Sequence, residues 1–434
     1  MSVQRATERL TALESAFLGL EQPRIPMHVA AIVVFEGREP LTMDELAWLV
    51  RRRTRRLVGF HQLLRRSGIG WAWAPAGRID LTAHLFHHEL PPPGATADLL
   101  ELCARIHERH LDRRRPLWEM HLVDGMPEGR QALVIKTHHA ITDGLGGIAI
   151  AEALFDAAPG VAKPCSLPVT GFVPGALETA MAVVNDVEGL AALAAGGPLA
   201  RSGPFNGAVS GTRSLGIATL PLAEVKRIKR ELGVSVDDVL MGVVSSGLGA
   251  YLRRDRYVSA STTQRAMLPV STRRPQQGLA LGNHVSSIFV DLPVGLGDFA
   301  TAVRHISWSK ATLRTAHAVR GGALAIEATR LLPAPLQPPI LHLFSGLPFA
   351  NLIVSDVPGP EAQLFLLGRR VLASFPMMPL AADVGLAIAM ITMGPAIGVG
   401  VTSDPQILPD PQTLADDIGS ALPGAVSRRS PALF

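Results

Sequence analysis

Lys136-Thr137-His138-His139-Ala140-Ile141-Thr142-Asp143-Gly144-Leu145-Gly146-Gly147 is the stretch that decides the reading of this chain. A short apolar run over residues 131–137 precedes it and predicts a strand; an apolar segment over 144–155 follows and predicts a helix. The string therefore sits at a strand-to-helix turn. Adjacent side chains on a strand point to opposite faces, so one histidine can face a cleft while the other supports it from behind. Histidine titrates nearest neutrality and is the usual general base. His139 is the candidate base and His138 the candidate support. Asp143 can fix the turn or hold a cation. Gly144 supplies a backbone angle that other residues resist, and Gly146 and Gly147 allow a close backbone approach. The competing reading of His138-His139 is a pair of structural histidines.

Working outward, residues 28–35 read as a buried strand. Thr42-Met43-Asp44-Glu45 is a capping box opening a helix toward Leu57. That helix ends among Arg51, Arg52, Arg53, Arg55 and Arg56, with Arg65 and Arg66 beyond. Cations suit a helix C-terminus; a patch for acidic lipid headgroups or a phosphate is the sharper alternative. Pro91-Pro92-Pro93-Gly94 is a stiff loop before a helix that runs to about His110. Residues 159–211 are rich in Pro, Gly, Ala and Ser, with one helix expected over 176–193, and read as a crossover between two halves. The second half opens with a strand over 214–221, a helix over 222–232, and a helix over 236–253 capped by Ser235. Strands follow over 265–270, 285–292 and 352–355. The uncharged stretch 384–402 is interrupted by Gly394-Pro395, so it reads as a hairpin, 385–392 with 396–402, and not as a membrane span. Strands alternate with helices in both halves, which makes the class α/β.

The chain has 434 residues, 47% hydrophobic and 18% charged, with a formal charge of +4. This composition fills large cores and excludes a disordered chain. A charge of +4 over such a length gives no footprint for nucleic acid. Two cysteines, Cys103 and Cys165, make neither a disulfide framework nor a cysteine metal cluster. The N-terminal residues lack the apolar core of a signal peptide, and a cytoplasmic location is expected. His84, His87 and His88 form a second histidine group, read as an exposed strand face. No HExxH or cysteine pair accompanies it, so no metal is expected. No Gly-x-Ser-x-Gly elbow is present, and Ser245-Ser246-Gly247 reads as small-residue helix packing.

The His-His-x-x-x-Asp-Gly string resembles the active-site motif of the bacterial wax ester synthase/diacylglycerol acyltransferase family. Its flanks sharpen the likeness. Leu10-Thr11-Ala12-Leu13-Glu14-Ser15-Ala16-Phe17 and Pro26-Met27-His28-Val29 look like that family's opening. Leu111 to Glu119, with Pro116-Leu117-Trp118-Glu119, looks like its Pro-Leu-Trp-Glu block. Phe205-Asn206-Gly207, Val236-Asp237-Asp238-Val239, Leu268 to Arg273, Gly282-Asn283 and Val357-Pro358-Gly359-Pro360 match further blocks in order. Asp237 and Asp356 stand where the family usually has Asn, and the hairpin around Gly394 lacks a Ser-Tyr pair found in many members.

The resemblance implies two chloramphenicol acetyltransferase-like domains with a tunnel at their interface: residues 1–160 carrying the histidine motif, a linker over 161–211, and residues 212–434. It implies an acyl-CoA-dependent O-acyltransferase that makes triacylglycerol from diacylglycerol or wax ester from a long-chain alcohol. Acyl-CoA would be a co-substrate and no resident cofactor is expected. His139 would act as base, with His138 and Asp143 beside it. Gly144, Asp238 and Asn283 would line the substrate path, and Arg273 would support Asp143. A charge at a helix start is the alternative for Asp238, and a turn residue the alternative for Asn283. Two other functions stay open at this stage: transfer from a carrier protein, and a non-catalytic lipid-binding or lipid-droplet protein on the same scaffold. Insoluble substrates imply peripheral contact with the inner membrane or lipid inclusions, with Trp71, Trp73 and the arginines of 51–66 as the expected patch.

Overall fold

A computed structural model describes residues 8–37, 39–68, 70–142, 144–158, 200, 202–255, 258–271, 285–315 and 349–424. Before the crossover lie β1 (Glu8–Arg9), α1 (Ala12–Leu20), β2 (His28–Phe35), α2 (Met43–Arg53), β3 (Gln62–Ser67), β4 (Gly70–Pro75), β5 (Leu85–Glu89), α3 (Thr96–Glu108), β6 (Trp118–Asp124), β7 (Gln131–His138) and α4 (Gly144–Leu154). After it come β8 (Ser214–Pro221), α5 (Leu222–Leu232), α6 (Val236–Leu252), β9 (Gln264–Ser271), β10 (Val285–Leu292), α7 (Phe299–Thr315), β11 (Leu352–Val357), β12 (Phe365–Leu366), β13 (Arg369–Met377), β14 (Leu386–Met393), β15 (Ala396–Ser403) and α8 (Pro411–Ser420).

Two six-stranded sheets carry the molecule, in the orders β12-β13-β2-β7-β6-β5 and β10-β9-β11-β14-β15-β8. The first is not built from the first half alone. β13 comes from late in the chain and pairs antiparallel with β2, Phe375 opposite Ile32. The second half thus lends two strands to the first sheet, a feature that lies within the span 212–434 read from sequence. The exchanged strand also packs on the second sheet at two glycines of β15. A methyl group on Gly398 would sit 1.7 Å from the Ser374 carbonyl oxygen, and one on Gly400 1.8 Å from that of Pro376. These contacts set how closely the sheets approach. The hairpin expected around Gly394 is β14–β15, with Gly394 at φ 63° in the turn.

Alternation along β2 and β7 divides two environments. Ala30, Ile32 and Val34 pack with Leu99, Leu100 and Cys103 of α3. Val29, Ala31 and Val33 face the other way, into a cavity. On β7, Ala132 and Val134 join the α3 side, while Ile135 and Thr137 join the cavity. Lys136 also faces α3, fully buried, and its Nζ donates to the carbonyls of Ile106, at 2.7 Å, and Arg109. A buried ammonium is tolerated there because it satisfies the free carbonyls at the end of the helix.

The Thr42 capping box is present, with Thr42 N–H donating to Glu45 Oε2 at 2.9 Å and Glu45 N–H to Thr42 Oγ1 at 3.2 Å. α2 stops at Arg53, earlier than Leu57, where the Arg53 guanidinium turns to Asp156 at 2.8 and 3.0 Å. α6 begins at the Ser235 cap as read, and its glycines are packing positions: a methyl on Gly247 would meet Ile418 of α8, and one on Gly242 would meet Val303 of α7. His84 departs from the expected exposed face. It is buried, stacked on Trp118, with Nδ1 2.8 Å from the Trp118 carbonyl oxygen. The helix expected over 176–193 lies outside the described residues.

Candidate active site

β7 ends at His138, paired across the sheet with His28 at the start of β2. The chain then turns. Ala140 N–H donates to His138 Nδ1 at 3.0 Å, and Ile141 N–H donates to the His138 carbonyl at 3.0 Å. His138 thereby closes the turn with its own ring. Because Nδ1 accepts, the proton of the neutral ring sits on Nε2. Burial lowers the His138 pKa, and the neighbouring Glu21 opposes this only in part, so the ring is held neutral. His139 follows on the opposite face. Its N–H donates to the Met27 carbonyl at 2.7 Å, and its ring stacks on Phe17 of α1 with centroids 4.0 Å apart. Turn and stack together aim the imidazole of His139 into the cavity.

Behind the turn lies Glu21, just past the end of α1. Its Oε1 is 3.4 Å from His138 Nε2, 3.4 Å from His28 Nε2 and 3.2 Å from His110 Nδ1. Its Oε2 accepts from Arg113 at 2.6 and 3.1 Å. Burial alone would raise the Glu21 pKa. The His138 imidazole, with its proton on Nε2, leads the neighbours that outweigh burial and hold it well below the usual carboxylate range. Burial pulls His28 down to about 4. An ionised carboxylate among imidazoles thus backs the turn, and nothing in the spacing of Glu21 announced it: it reads as an ordinary residue at a helix end.

The cavity lies between the two sheets and has a volume of ≈ 150 Å³. From the first sheet it takes the outward residues of β2 and β7, with Ser374 and Pro376 of β13. From the second it takes Pro269 of β9, Ser355 and Val357 of β11, and Ile391 of β14. His139, Thr142 and Gly147 bring the turn and the start of α4 to the same wall. The lining is otherwise largely apolar, with Phe155 and three methionines among aliphatic side chains, which suits an alkyl chain. A wider groove of ≈ 420 Å³ between β5 and α3 is lined by charged groups such as Asp98, Glu101 and Arg105, and holds no residue of the turn.

Asp238 is not on the cavity wall. It is the third residue of α6, accepts from Ser235 N–H and from Ser307 Oγ–H, both at 3.0 Å, and takes Lys310 Nζ at 2.7 Å. Lys310 also donates to Asp237. Asp356 sits between the cavity-lining Ser355 and Val357 on β11 and, by strand alternation, faces the opposite way. Burial and the nearby Asp237 carboxylate push its pKa up to about 7, against the pull of Lys310. Gly144 begins α4 as expected. Asp143, Arg273 and Asn283 lie outside the described residues. Cys103 is fully buried, with its thiol pKa pushed up by burial, and is no candidate nucleophile.

A sequence model of the wax ester synthase/diacylglycerol acyltransferase catalytic domain matches residues 10–170 and 167–240, and one of the family's C-terminal domain matches 281–424. The chain belongs to this family. It is an acyltransferase. A putative diacylglycerol O-acyltransferase from Mycobacterium tuberculosis strain H37Rv is 30% identical over 451 residues, covering 95% of this chain and 98% of that protein. A probable diacylglycerol O-acyltransferase, tgs2, from the same strain is 29% identical over 450 residues, with 94% and 96% covered. Among solved structures, the wax ester synthase/diacylglycerol acyltransferase from Marinobacter aquaeolei VT8 superposes with a TM-score of 0.70 at 22% identity, covering 95% of this chain and 98% of that one. The first condensation domain of the CDA synthetase has the same fold, with a TM-score of 0.63, 16% identity, and 96% and 98% covered. The expected pair of sheet-rich α/β domains is therefore the fold of this acyltransferase.

Proposed function

We propose that the enzyme transfers a long-chain acyl group from acyl-CoA to a hydroxyl, making triacylglycerol from diacylglycerol or wax ester from a fatty alcohol, with His139 as general base. The observation that carries this reading is a histidine aimed into an aliphatic cavity between two sheets by a turn that a second histidine closes. The acceptor O–H gives its proton to the His139 imidazole as its oxygen attacks the thioester carbonyl. The tetrahedral intermediate collapses with cleavage of the C–S bond, and the imidazolium returns the proton to the departing CoA thiolate. A base so placed contributes ~10²–10⁴-fold; holding both substrates in the cavity supplies the rest. Asp143 is assigned to fixing the turn. Purified protein given palmitoyl-CoA with diacylglycerol or with hexadecanol is expected to release CoA and form the matching ester. Ester formed only from a carrier-bound acyl group would replace acyl-CoA as donor. No ester from either donor would contradict the assignment.

The surface supports peripheral contact with an anionic lipid layer. Arg51, Arg52, Arg55, Arg56, Arg65 and Arg66 are exposed. Arg52 lies over the half-exposed Trp48 at 5.5 Å, and Arg66 over Trp71 at 4.9 Å. Trp48 takes the place expected for Trp73, which is buried; Arg53 is engaged with Asp156. Among the described residues no single helix is long and apolar enough to cross a membrane. Flotation with phosphatidylglycerol vesicles, lost on changing Arg51, Arg52 and Arg55 to Glu, is the expected result. Flotation indifferent to those changes would contradict the patch.

A further inference from the structure

Three side chains from distant parts of the chain converge behind the histidine turn. A nitrogen of His28, a nitrogen of His110 and a carboxylate oxygen of Glu21 all lie within 4.8 Å of one another. The hydrogen bonds on the far side of each ring fix where the protons are. His28 Nδ1 lies 3.4 Å from the His107 carbonyl oxygen, and His110 Nε2 lies 3.3 Å from that of Pro23. A carbonyl oxygen only accepts, so these two nitrogens carry hydrogen. His28 Nε2 and His110 Nδ1 then present lone pairs, and both point at Glu21 Oε1, 3.4 and 3.2 Å away. One of these lone pairs accepts from Leu111 N–H at 3.3 Å; the buried Glu21 Oε1 has no hydrogen-bond partner among the described residues, and a positive centre between the three atoms would relieve their repulsion.

We propose that Glu21, His28 and His110 form a binding site for a zinc-type divalent cation. Two histidines and one carboxylate are an established zinc donor set. With ligands at ~2.0–2.2 Å in a tetrahedron, donor atoms stand about 3.3–3.6 Å apart, close to the two measured edges of 3.4 and 3.2 Å. The outer partners fit as well. Metal-bound histidines donate their second N–H to a carbonyl or carboxylate, and a ligating carboxylate is itself hydrogen-bonded. Here the carbonyls of His107 and Pro23 serve the two rings, and Arg113 holds Glu21 Oε2. His138 keeps its Nε2 proton and stays outside the donor set. The Leu111 N–H, 3.3 Å from His28 Nε2, must yield as the cation enters. The third edge, between the two imidazole nitrogens, is no longer than 4.8 Å and shortens as the His110 loop moves in with its Pro23 contact kept. Glu21 follows the helix that carries Phe17, so the cation would tie α1 to β2 and to the segment after α3, and fix the surface on which His139 stacks. It touches no substrate, and its role is positioning.

The test uses protein stripped with EDTA and titrated with Zn²⁺ by calorimetry and with Co²⁺ by visible absorption, without acyl-CoA, so that its outcome is independent of the acyl-transfer assignment. The expected result is one cation per chain, a tetrahedral Co²⁺ spectrum, and affinity at least 100-fold lower in His110→Ala. His110 is partly exposed in a loop, and the metal-free variant should keep the wild-type melting curve. His87→Ala, at an exposed histidine paired with Asp124, should bind like wild type. Absence of stoichiometric binding, or binding unaffected by His110→Ala, would overturn the site.

Discussion

Each half of the enzyme buries a cluster of charge, and the two are built in opposite senses. Glu21 is one carboxylate facing the nitrogens of three imidazoles and a guanidinium. Lys310 is one ammonium shared by Asp237 and Asp238 with Asp356 nearby, an excess of acceptors. The carboxylate rich in partners stays ionised well into acid, while Asp356 is pushed up toward neutrality. Their tasks differ accordingly. The first cluster backs a turn that enters the cavity; the second joins the start of α6 to α7. Buried charge alone therefore marks no active site. What distinguishes the first cluster is that the residue next to it on the cavity wall is a base, His139.

The largest effect is expected where the two sheets touch. Gly400→Val forces a side chain into the Pro376 carbonyl and must part the sheets. Overpacking costs about 1–3 kcal/mol and more against backbone, so the melting midpoint should fall by many degrees with activity lost. Wild-type stability would show that the close approach is not a constraint. Next comes Glu21→Gln, which removes the charge behind the turn but leaves His139 in place. A kcat lower by roughly 10–100-fold with an acyl-CoA KM near wild type is expected, as for loss of a positioning partner. Arg113 is partly exposed, so the stability cost should be modest, about 1–2 kcal/mol. Unchanged kcat would reduce Glu21 to a structural residue.

The third effect is a pair of opposite pH slopes. His28 is held neutral in the fold, with its pKa down at about 4 from 6.5. The unfolded chain takes up the proton first, so this contribution is full above pH 6.5 and is lost as pH falls toward 4. Asp356 runs the other way. Its pKa is raised to about 7 from 3.8, so its contribution is full below 3.8 and is lost as pH rises through 7. Asp356→Asn should stabilise the enzyme by roughly 1–3 kcal/mol above pH 7.5 and little at pH 4. Equal effects at both pH values would contradict the assignment. This pH dependence separates the two clusters most cleanly.

Much of the site was legible because its signals are local. Strand alternation at His138-His139 anticipates one ring in the cavity and one behind it. The caps at Thr42 and Ser235 mark the starts of α2 and α6, because a side chain that satisfies free backbone N–H groups does so within three residues. The exchange of β12 and β13 was not legible. Arg369–Met377 reads as a strand of any sheet, and its partner β2 lies at the other end of the sequence. Glu21 and His110 were missed for the same reason: each acquires its meaning from a fold that brings it to His28. Asp238 carried a choice between substrate path and helix start, and its bonds to Ser235, Ser307 and Lys310 account for it as the latter.

The central claim is that His139 takes the acceptor proton. It is tested most directly by single-turnover CoA release and ester formation from palmitoyl-CoA, comparing wild type with His139→Ala at matched melting temperature. Ester formation slowed by ~10²–10⁴-fold, with acyl-CoA binding retained, is the expected result. Ester formation at the wild-type rate in His139→Ala would contradict it.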